Sequence, residues 1–438
     1  MGKAETLQQI TARLDEHWWP DDVDGGSRIA MLQEILHWLG DPDRKSRIIH
    51  ITGTNGKGST GVMTADILIA AGYTVGHFST PAIMDDREMI ATNHAMISEY
   101  DFMHLYRYIE TVIEEHGGHQ GTLSGQEWWT LIALCHFARV GTDFVILEAG
   151  RGGINDATNM VTSPLVIAIT KINEDDLEEN ENTLLAIANE KAEGIKAGAV
   201  VVNYPGQSVE VAKVLQAKTE AAGARWNTRP RPKIVLLSGS PDGLDINIDA
   251  LENVHLGLTG AYQVHNLSTV MQIIGVLRDL DCMISDDAVR QGLADVKIPG
   301  RMEYDNVRNI LYDGAHNPDG IRALVASIRA WHMQFKPTVI LGLLENSNTQ
   351  EILDELLPNV GTIIAVTPDA PAYKHVISAD TLAARIVMMS SSTVDVEIAD
   401  DPSAAIQLAR RVRESSQAMI IVTGSFFTLR AIQSDEKI

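Results

Sequence analysis

The sequence is poor in cysteine and in positive charge, and each shortage excludes a class of protein. Its two cysteines, Cys135 and Cys282, stand far apart in apolar surroundings, so we expect buried free thiols in a reducing compartment rather than a disulfide framework. Only 35 basic residues face 58 acidic ones, which gives a formal net charge of −23. That balance works against binding to nucleic acid or to an anionic membrane surface.

Long apolar runs are also missing from the chain. The first residues, MGKAETLQQITARLDEHWW, are polar with a helical pattern and contain no apolar signal core. No run of apolar residues reaches the ~18 that a membrane span needs. We therefore expect a cytoplasmic protein. A monomer is expected as well. The 438 residues and 45% hydrophobic content predict two or three domains with large cores.

Short β-branched runs alternate with longer helical patterns, which is typical of parallel βαβ units. The predicted strands are 48–51, 144–147, 165–169, 200–202, 310–312, 338–341, 362–366 and 419–422. We predict an α/β protein with a mostly parallel sheet in residues 1–297 and a smaller α/β domain in residues 298–438. The turn-rich stretch 227–250 predicts a loop and a hairpin near the end of the first domain.

The strongest local signal is IIHITGTNGKGST at 48–60, where a strand pattern runs through a glycine-rich turn into a helix. Such a turn directs backbone N–H groups toward an anion, and Lys57 adds a positive charge. Gly58 stands where the strict Walker pattern has Ser or Thr, but a lysine at this place favours a nucleoside triphosphate over a dinucleotide. The residues expected to bind it are Gly53, Thr54, Asn55, Gly56, Lys57, Gly58, Ser59 and Thr60.

Six motifs in order make the sequence resemble a known family. They are GTNGKGS at 53–59, EAGRGGINDATN at 148–159, EKAEGIK at 190–196, GAYQVHN at 260–266, PGRME at 299–303 and DGAHNPDG at 313–320. From about residue 48 to its end, the sequence is similar to the folylpolyglutamate synthases of the Mur ligase superfamily. The resemblance implies a phosphate-loop ATPase domain and a Rossmann-like C-terminal domain that closes over it, with ATP between them.

The reaction implied by the resemblance is ATP-dependent amide ligation. L-Glutamate is added to the γ-carboxylate of a reduced folate through an acyl phosphate. Dihydrofolate synthase activity on dihydropteroate shares this scaffold, and the sequence does not separate the two activities. Two alternatives stay open: a diverged paralogue that ligates a different acid and amine, and a nucleotide- or folate-binding protein without turnover.

The resemblance also assigns catalytic and metal-binding roles. Lys57 and His316 lie near phosphate in the family, and Lys191 matches a lysine that is carbamylated there. Mg²⁺ is the implied cofactor beside ATP, because a hard divalent cation prefers oxygen ligands. The expected metal-binding residues are Ser59, Thr80, Glu148, Asp176 and Lys191.

Nucleotide and substrate contacts are implied in the same way. Asn266 matches a position near adenine, Asp313 one near the base or ribose, and Arg301 and His316 positions near phosphate. The expected substrate contacts are Pro81, in the loop STPAIMDDREMI at 79–90, and Glu127, in SGQEWWT at 124–130. An ordinary buried helix fits the surroundings of Glu127 equally well.

Two stretches depart from the family pattern. In INEDDLEENEN at 172–182, Asp176 takes the place of a histidine that binds a second Mg²⁺, and a carboxylate is also a competent ligand. In GLLENSN at 342–348, the family has Asp-Lys-Asp near the incoming amino acid, whereas this chain has Asn346, Ser347 and Asn348. The loss of that lysine removes an anchor for a carboxylate and puts the choice of amine in question.

Overall fold

The structure, a computed structural model, describes residues 5–19, 25–118, 123–173, 183–345, 348–370, 375–390, 394–399 and 401–436. The helices are α1 Leu7–Glu16, α2 Gly25–Trp38, α3 Lys57–Ala70, α4 Glu99–Glu115, α5 Gly125–Val140, α6 Leu184–Ala192, α7 Val209–Ala221, α8 Gln263–Asp279, α9 Asp286–Ala294, α10 Pro318–Ala330, α11 Thr349–Leu356, α12 Ala379–Ser390, α13 Pro402–Val412 and α14 Phe426–Glu436. The strands are β1 Arg47–Thr52, β2 Val75–Phe78, β3 Ile90–Thr92, β4 Ala95–Met96, β5 Phe144–Glu148, β6 Val166–Ile169, β7 Val200–Asn203, β8 Arg225–Trp226, β9 Ile234–Ser240, β10 Gly243–Ile248, β11 Leu251–Leu256, β12 Glu303–Asp305, β13 Ile310–Asp313, β14 Thr338–Leu341, β15 Thr362–Ala365, β16 Asp395–Ile398 and β17 Ile420–Thr423.

Two compact units make up the chain. The first comprises Met1–Lys233 and His265–Leu293, and the second comprises Ile234–Val264 and Ala294–Ile438. The chain therefore leaves the first unit after β8, returns to it within α8, and leaves it again within α9. The predicted boundary between two domains at residue 297 stays a prediction.

The first unit contains a sheet with the strand order β4-β3-β2-β5-β1-β6-β7-β8 among the described residues. Strands β2, β5, β1, β6, β7 and β8 run parallel, and β3 and β4 are antiparallel at one edge. In β1 every residue except Arg47 is buried, as expected for a parallel strand covered on both faces. The carboxyl ends of these strands form one edge, where α/β proteins bind ligands.

Helix α5 is buried along most of its length and packs into a large core cluster of the first unit, with Trp128 and Trp129 buried. It begins with a capping box, in which Ser124 accepts a hydrogen bond from the backbone N–H of Glu127 and Glu127 accepts one from the N–H of Ser124. It ends at Gly141, whose φ of 78° closes the helix in the left-handed conformation.

The second unit contains two sheets in its described residues. One is antiparallel with the order β11-β10-β9, and the other has the order β12-β13-β17-β14-β15-β16. The latter is parallel except for the edge strand β12. Helices α10, α11 and α12 bury their apolar residues on one face of it, and α13 and α14 on the other. This is a doubly wound arrangement.

These observations confirm the predicted α/β class with a mostly parallel first sheet and a smaller second one. The hairpin predicted in 227–250 is present as β9 and β10, but β11, which completes that sheet, was not predicted. The two cysteines are buried and free, as predicted. Among the described residues, no helix is both long and apolar enough to cross a membrane.

Candidate functional site

The loop between β1 and α3 is built on glycine. Gly53 has a φ of +136°, and a Cβ added there would overlap Oγ1 of Thr170 and lie 3.0 Å from its backbone N. A larger residue is therefore excluded by both conformation and space. The loop is tied to the chain after β6, because Thr54 N and Asn55 N donate to the carbonyl oxygen of Lys171 at 2.8 and 3.1 Å.

Lys57, the first residue of α3, folds back over this loop. Its Nζ donates to the carbonyl oxygens of Gly53 and Thr54 at 2.7 and 3.0 Å. The ammonium group is thereby held above the loop at the positive end of the helix dipole. A helix N-terminus that follows a glycine turn and has a fixed cation beside it is suited to bind phosphate.

Asn266, near the start of α8, closes the other side of the loop. Its side chain is buried, and its Oδ1 lies 2.5 Å from the position that a Cβ would take on Gly56. Gly56 has a φ of +91°, so this position also requires glycine. The structure thus brings Asn266 to the predicted phosphate loop, within the first unit.

Glu148 ends β5, the strand beside β1, and its side chain is only 3% exposed. Its Oε1 accepts a hydrogen bond from Nε2 of His77 at 2.6 Å. Its Oε2 is turned to the first turn of α3, 3.8 Å from the position of a Cβ on Gly58. The carboxylate therefore lies against the same helix turn that carries Ser59.

These residues fit a magnesium ion that is bound mainly through a nucleotide. The carboxylate of Glu148 and the hydroxyl of Ser59 are oxygen donors, which a hard cation prefers. In the part of the chain that the structure describes, no three His, Cys, Asp or Glu side chains converge on one point that could hold a metal. Few protein ligands are expected where phosphate oxygens and water complete the shell of Mg²⁺.

Lys191, in the last turn of α6, is a buried lysine at 4% exposure. Its Nζ donates to the carbonyl oxygen of Arg151 at 2.9 Å, and its Cγ lies 3.7 Å from the position of a Cβ on Gly152. The loop that follows Glu148 therefore packs directly on Lys191. Its predicted carbamylation stays a prediction.

The two residues predicted to contact substrate lie in different environments. Pro81 follows β2 in an exposed turn, joined to the partly exposed Thr80 by a cis peptide bond. Glu127 is buried, and its carboxylate accepts hydrogen bonds from Nε and Nη2 of Arg28 at 2.6 and 2.5 Å and from Ser124 N at 2.6 Å. Both groups hold Glu127 in the core, and its contact with substrate stays a prediction.

The second unit brings Arg301, Asp313 and His316 together at the carboxyl end of β13. Asp313 accepts hydrogen bonds from the backbone N–H groups of Met302 and Ala315 at 2.8 and 3.1 Å. Burial raises the pKa of Asp313, whereas Arg301 and the two amides act in the opposite direction.

His316 is fixed by its backbone and by Phe426. Its Nδ1 donates to the carbonyl oxygen of Gly314 at 2.8 Å, so Nε2 is the acceptor of the neutral ring. Burial lowers the pKa of His316 and thus favours that neutral form. The guanidinium group of Arg301 lies 4.6 Å from the centre of the Phe426 ring, which orients Arg301 beside the histidine.

His77, Tyr262 and Phe426 were not predicted as site residues. His77 is the one polar residue in the buried strand VGHF. A polar residue inside an apolar strand was the sequence feature that could have indicated a site residue. Tyr262 lies within GAYQVHN, and burial together with Asp313 raises its pKa. Of the departing residues, Asn348 immediately precedes α11, whereas Asp176, Asn346 and Ser347 lie outside the described residues.

Comparisons with known proteins agree with these motifs. Residues 51–274 match the Mur ligase middle domain, and residues 300–426 match the Mur ligase glutamate ligase domain. The chain is 32% identical over 382 residues to the folylpolyglutamate synthase of Lacticaseibacillus casei, with 85% of this chain and 87% of that protein covered. It is 28% identical over 414 residues to the dihydrofolate synthase/folylpolyglutamate synthase of Bacillus subtilis, with 92% and 94% covered.

Solved structures give the same result for the whole fold. The folylpolyglutamate synthase of Mycobacterium tuberculosis complexed with ADP and AMPPCP superposes with a TM-score of 0.84 at 25% identity, over 98% of this chain and 97% of that one. The folylpolyglutamate synthase of Thermotoga maritima gives a TM-score of 0.81 at 27% identity, over 98% and 96%. The chain therefore belongs to the folylpolyglutamate synthase/dihydrofolate synthase family of the Mur ligases and is an ATP-dependent, ADP-forming ligase.

Proposed function

We propose that this ligase adds L-glutamate to the γ-carboxylate of a reduced folate through an acyl phosphate. The observation that supports this most directly is the glycine loop with Lys57 held over it, next to the buried carboxylate of Glu148. Folylpolyglutamate synthase is also the name of relatives that match most of the chain. Dihydrofolate synthase activity on dihydropteroate is a second reaction proposed for the same site.

Each step has a defined change in bonding. A γ-carboxylate oxygen attacks the γ-phosphorus of ATP, the bond to the β–γ bridging oxygen breaks, and ADP leaves. The uncharged amine of glutamate then attacks the acyl carbon, the amide forms, inorganic phosphate leaves, and the amine nitrogen loses a proton. Because carboxylate and phosphate repel each other, the catalytic requirement is mainly positioning and charge neutralisation.

The residues on the loop supply much of that neutralisation. The ammonium group of Lys57 and the amides at the N-terminus of α3 are proposed to bind phosphate oxygens. Bound Mg²⁺ would reduce the negative charge of the phosphates, and Ser59, Glu148 and carbamylated Lys191 are the proposed residues that hold it, with Thr80 and Asp176.

In the second unit, Arg301 and His316 are proposed to contact phosphate and Asp313 the base or ribose. Asn266 is proposed to lie near adenine, and Pro81 and Glu127 near the folate. The monomeric state and the cytoplasmic location also stay predictions.

A diverged paralogue that uses a different acid and amine is the second candidate. It is favoured by the uncharged stretch that ends at Asn348, where the resemblance leads us to expect charged residues. The chemistry at the phosphate loop would be the same, and only the groups joined would differ.

Product analysis distinguishes the candidates. The protein is incubated with Mg-ATP, L-glutamate and either tetrahydrofolate or dihydropteroate, and the products are identified by mass spectrometry. A folate that gains glutamate while ADP forms supports the proposal. ADP that forms only when other acids and amines replace these substrates supports the paralogue, and no ADP with any of them supports a binding protein without turnover.

Lys57→Ala is the variant expected to lose turnover, and Lys213→Ala is the matched control for the loss of a lysine. Lys213 is an exposed lysine of α7. We expect a loss of about 100-fold or more in turnover for Lys57→Ala, because a fixed charge at the transferred group is removed, and unchanged turnover for Lys213→Ala.

A further inference from the structure

We propose that His77 is a positioning residue for the metal-binding carboxylate of Glu148, an inference that rests on the proposed function. Nε2 of His77 lies 2.6 Å from Oε1 of Glu148. An ionised carboxylate can only accept a hydrogen bond, so Nε2 carries the proton and donates it. One oxygen of Glu148 is thereby held by the protein.

The sheet register explains why these two side chains meet. His77 pairs with Ile146 in the parallel ladder of β2 and β5, and Glu148 follows Ile146 by two residues. Side chains two apart in a strand lie on the same face, so His77 and Glu148 share the face that is covered by α3. The contact is thus set by the backbone of the sheet.

Space on the α3 side is restricted around this pair. A Cβ on Gly61 would lie 2.5 Å from Oε1 of Glu148 and 2.9 Å from Nε2 of His77. The side chains are 3% and 14% exposed, respectively. The pair therefore fills the gap between β5 and the glycine of α3, and water does not compete freely for Oε1.

The two oxygens of Glu148 consequently face different partners. Oε1 points to His77, whereas Oε2 is turned to the first turn of α3, 3.8 Å from the position of a Cβ on Gly58. A hydrogen bond to one oxygen fixes the rotation of the carboxylate and leaves the other directed at the ligand site. Groups that hold a metal ligand in this way typically change metal affinity about 10-fold to 100-fold when they are removed.

Binding of Mn²⁺ in the presence of ADP, followed by electron paramagnetic resonance of the free ion, tests this proposal without turnover. His77→Leu removes the donor, and His77→Gln keeps an N–H near the position of Nε2. His136→Leu is the matched control, since it removes a buried histidine that lies beside Thr92 and Phe137. Thermal unfolding shows whether each variant is folded.

We expect His77→Leu to weaken Mn²⁺ binding about 10-fold or more, His77→Gln to recover most of the affinity, and His136→Leu to leave it unchanged. The KM for Mg²⁺ should rise in His77→Leu by more than kcat falls. If His77→Leu does not fold, His77→Asn, whose donor is too short to reach Oε1, replaces it in the comparison with His77→Gln.

Mn²⁺ affinity in His77→Leu equal to that of the wild type overturns the role of His77, as does equal weakening in His77→Leu and His77→Gln. A wild-type protein that binds no Mn²⁺ with ADP overturns the proposed function and this inference together. If only the role of His77 is wrong, the wild type still binds Mn²⁺ with ADP. This result distinguishes failure of the inference from failure of the proposed function.

Discussion

Arg28 and Glu127 form a two-point ion pair, in which Nε and Nη2 of Arg28 donate to the two carboxylate oxygens of Glu127 at 2.6 and 2.5 Å. The pair joins α2 to the first turn of α5, and the side chains are 13% and 3% exposed. We predict that Arg28→Met lowers the free energy of unfolding by about 3 kcal/mol, because a buried carboxylate is left without its counter-charge. Urea denaturation measures this.

The matched control for that change is Arg139→Met. Arg139 pairs with Asp101 at the surface, and the side chains are 43% and 24% exposed. An exposed pair contributes only about 0–1 kcal/mol, so Arg139→Met should have little effect. Equal losses in the two variants would contradict a special role for the Arg28–Glu127 pair.

Gly61→Ala should separate helix stability from metal binding. Alanine favours a helix over glycine by about 1 kcal/mol, but its Cβ would lie 2.5 Å from Oε1 of Glu148. The side chains of Glu148 and His77 must move to make room. We expect weaker Mn²⁺ binding with ADP and a thermal midpoint that changes by only a few degrees; unaltered Mn²⁺ affinity would show that the carboxylate tolerates the shift.

The stability of the protein should fall in mild acid because of His50. Its Nε2 lies 2.8 Å from Oγ1 of Thr158, whose hydroxyl donates to Asp156 at 2.5 Å. Burial lowers the pKa of His50 to about 4, while Asp156 acts to raise it and Lys196 to lower it. In the unfolded chain the pKa of a histidine is about 6.5. Below that pH the unfolded state therefore binds a proton that the folded state does not bind.

This contribution to stability is therefore complete above about pH 6.5 and is lost as the pH falls toward 4, by about 3 kcal/mol in total. Urea denaturation measures the free energy of unfolding at neutral pH and at about pH 4.5. The difference between these two free energies should be smaller in His50→Gln than in the wild type. Burial also lowers the pKa of His136 and His316, so the comparison uses the difference between the two proteins. Identical pH dependence would contradict the prediction.

Carbamylation of Lys191 predicts a dependence on bicarbonate. The lysine is buried beside the loop after Glu148, with its Nζ 2.9 Å from the carbonyl oxygen of Arg151. Conversion of the cation to a carbamate would supply an anionic oxygen ligand for Mg²⁺. We expect activity to fall in buffer stripped of carbon dioxide and to return with bicarbonate, whereas Lys191→Arg stays inactive in both; wild-type activity that ignores bicarbonate would count against the modification.

Much of the fold was predictable because buried parallel strands and the glycine loop leave strong local patterns. The strand that contains His50, its turn at Gly53 and the helix from Lys57 follow from periodicity and turn chemistry alone. The hydrogen bond between His77 and Glu148 did not, because it depends on which strands are neighbours in the sheet. Sequence separation gives no information about that order.

The environment of Glu127 was ambiguous for a related reason. Its spacing from Ser124 fits a capping box, but Arg28 reaches it from 99 residues away. The same motif can therefore indicate a substrate contact or a buried helix start, and only the tertiary partner shows how the carboxylate is held. The proposed role of Asn266 near adenine comes from the resemblance, because no local pattern indicates it.

The path of the chain between the two compact units has a practical consequence for fragment studies. The chain passes from one unit to the other near residues 233, 264 and 293. A fragment that begins at 298 would lack β9, β10 and β11, and a fragment that stops at 233 would lack α8 and with it Asn266. Neither unit can be expressed whole by one truncation, because each consists of two separate segments of the chain. Isolating the C-terminal unit therefore requires a synthetic linker that joins 234–264 to 294–438.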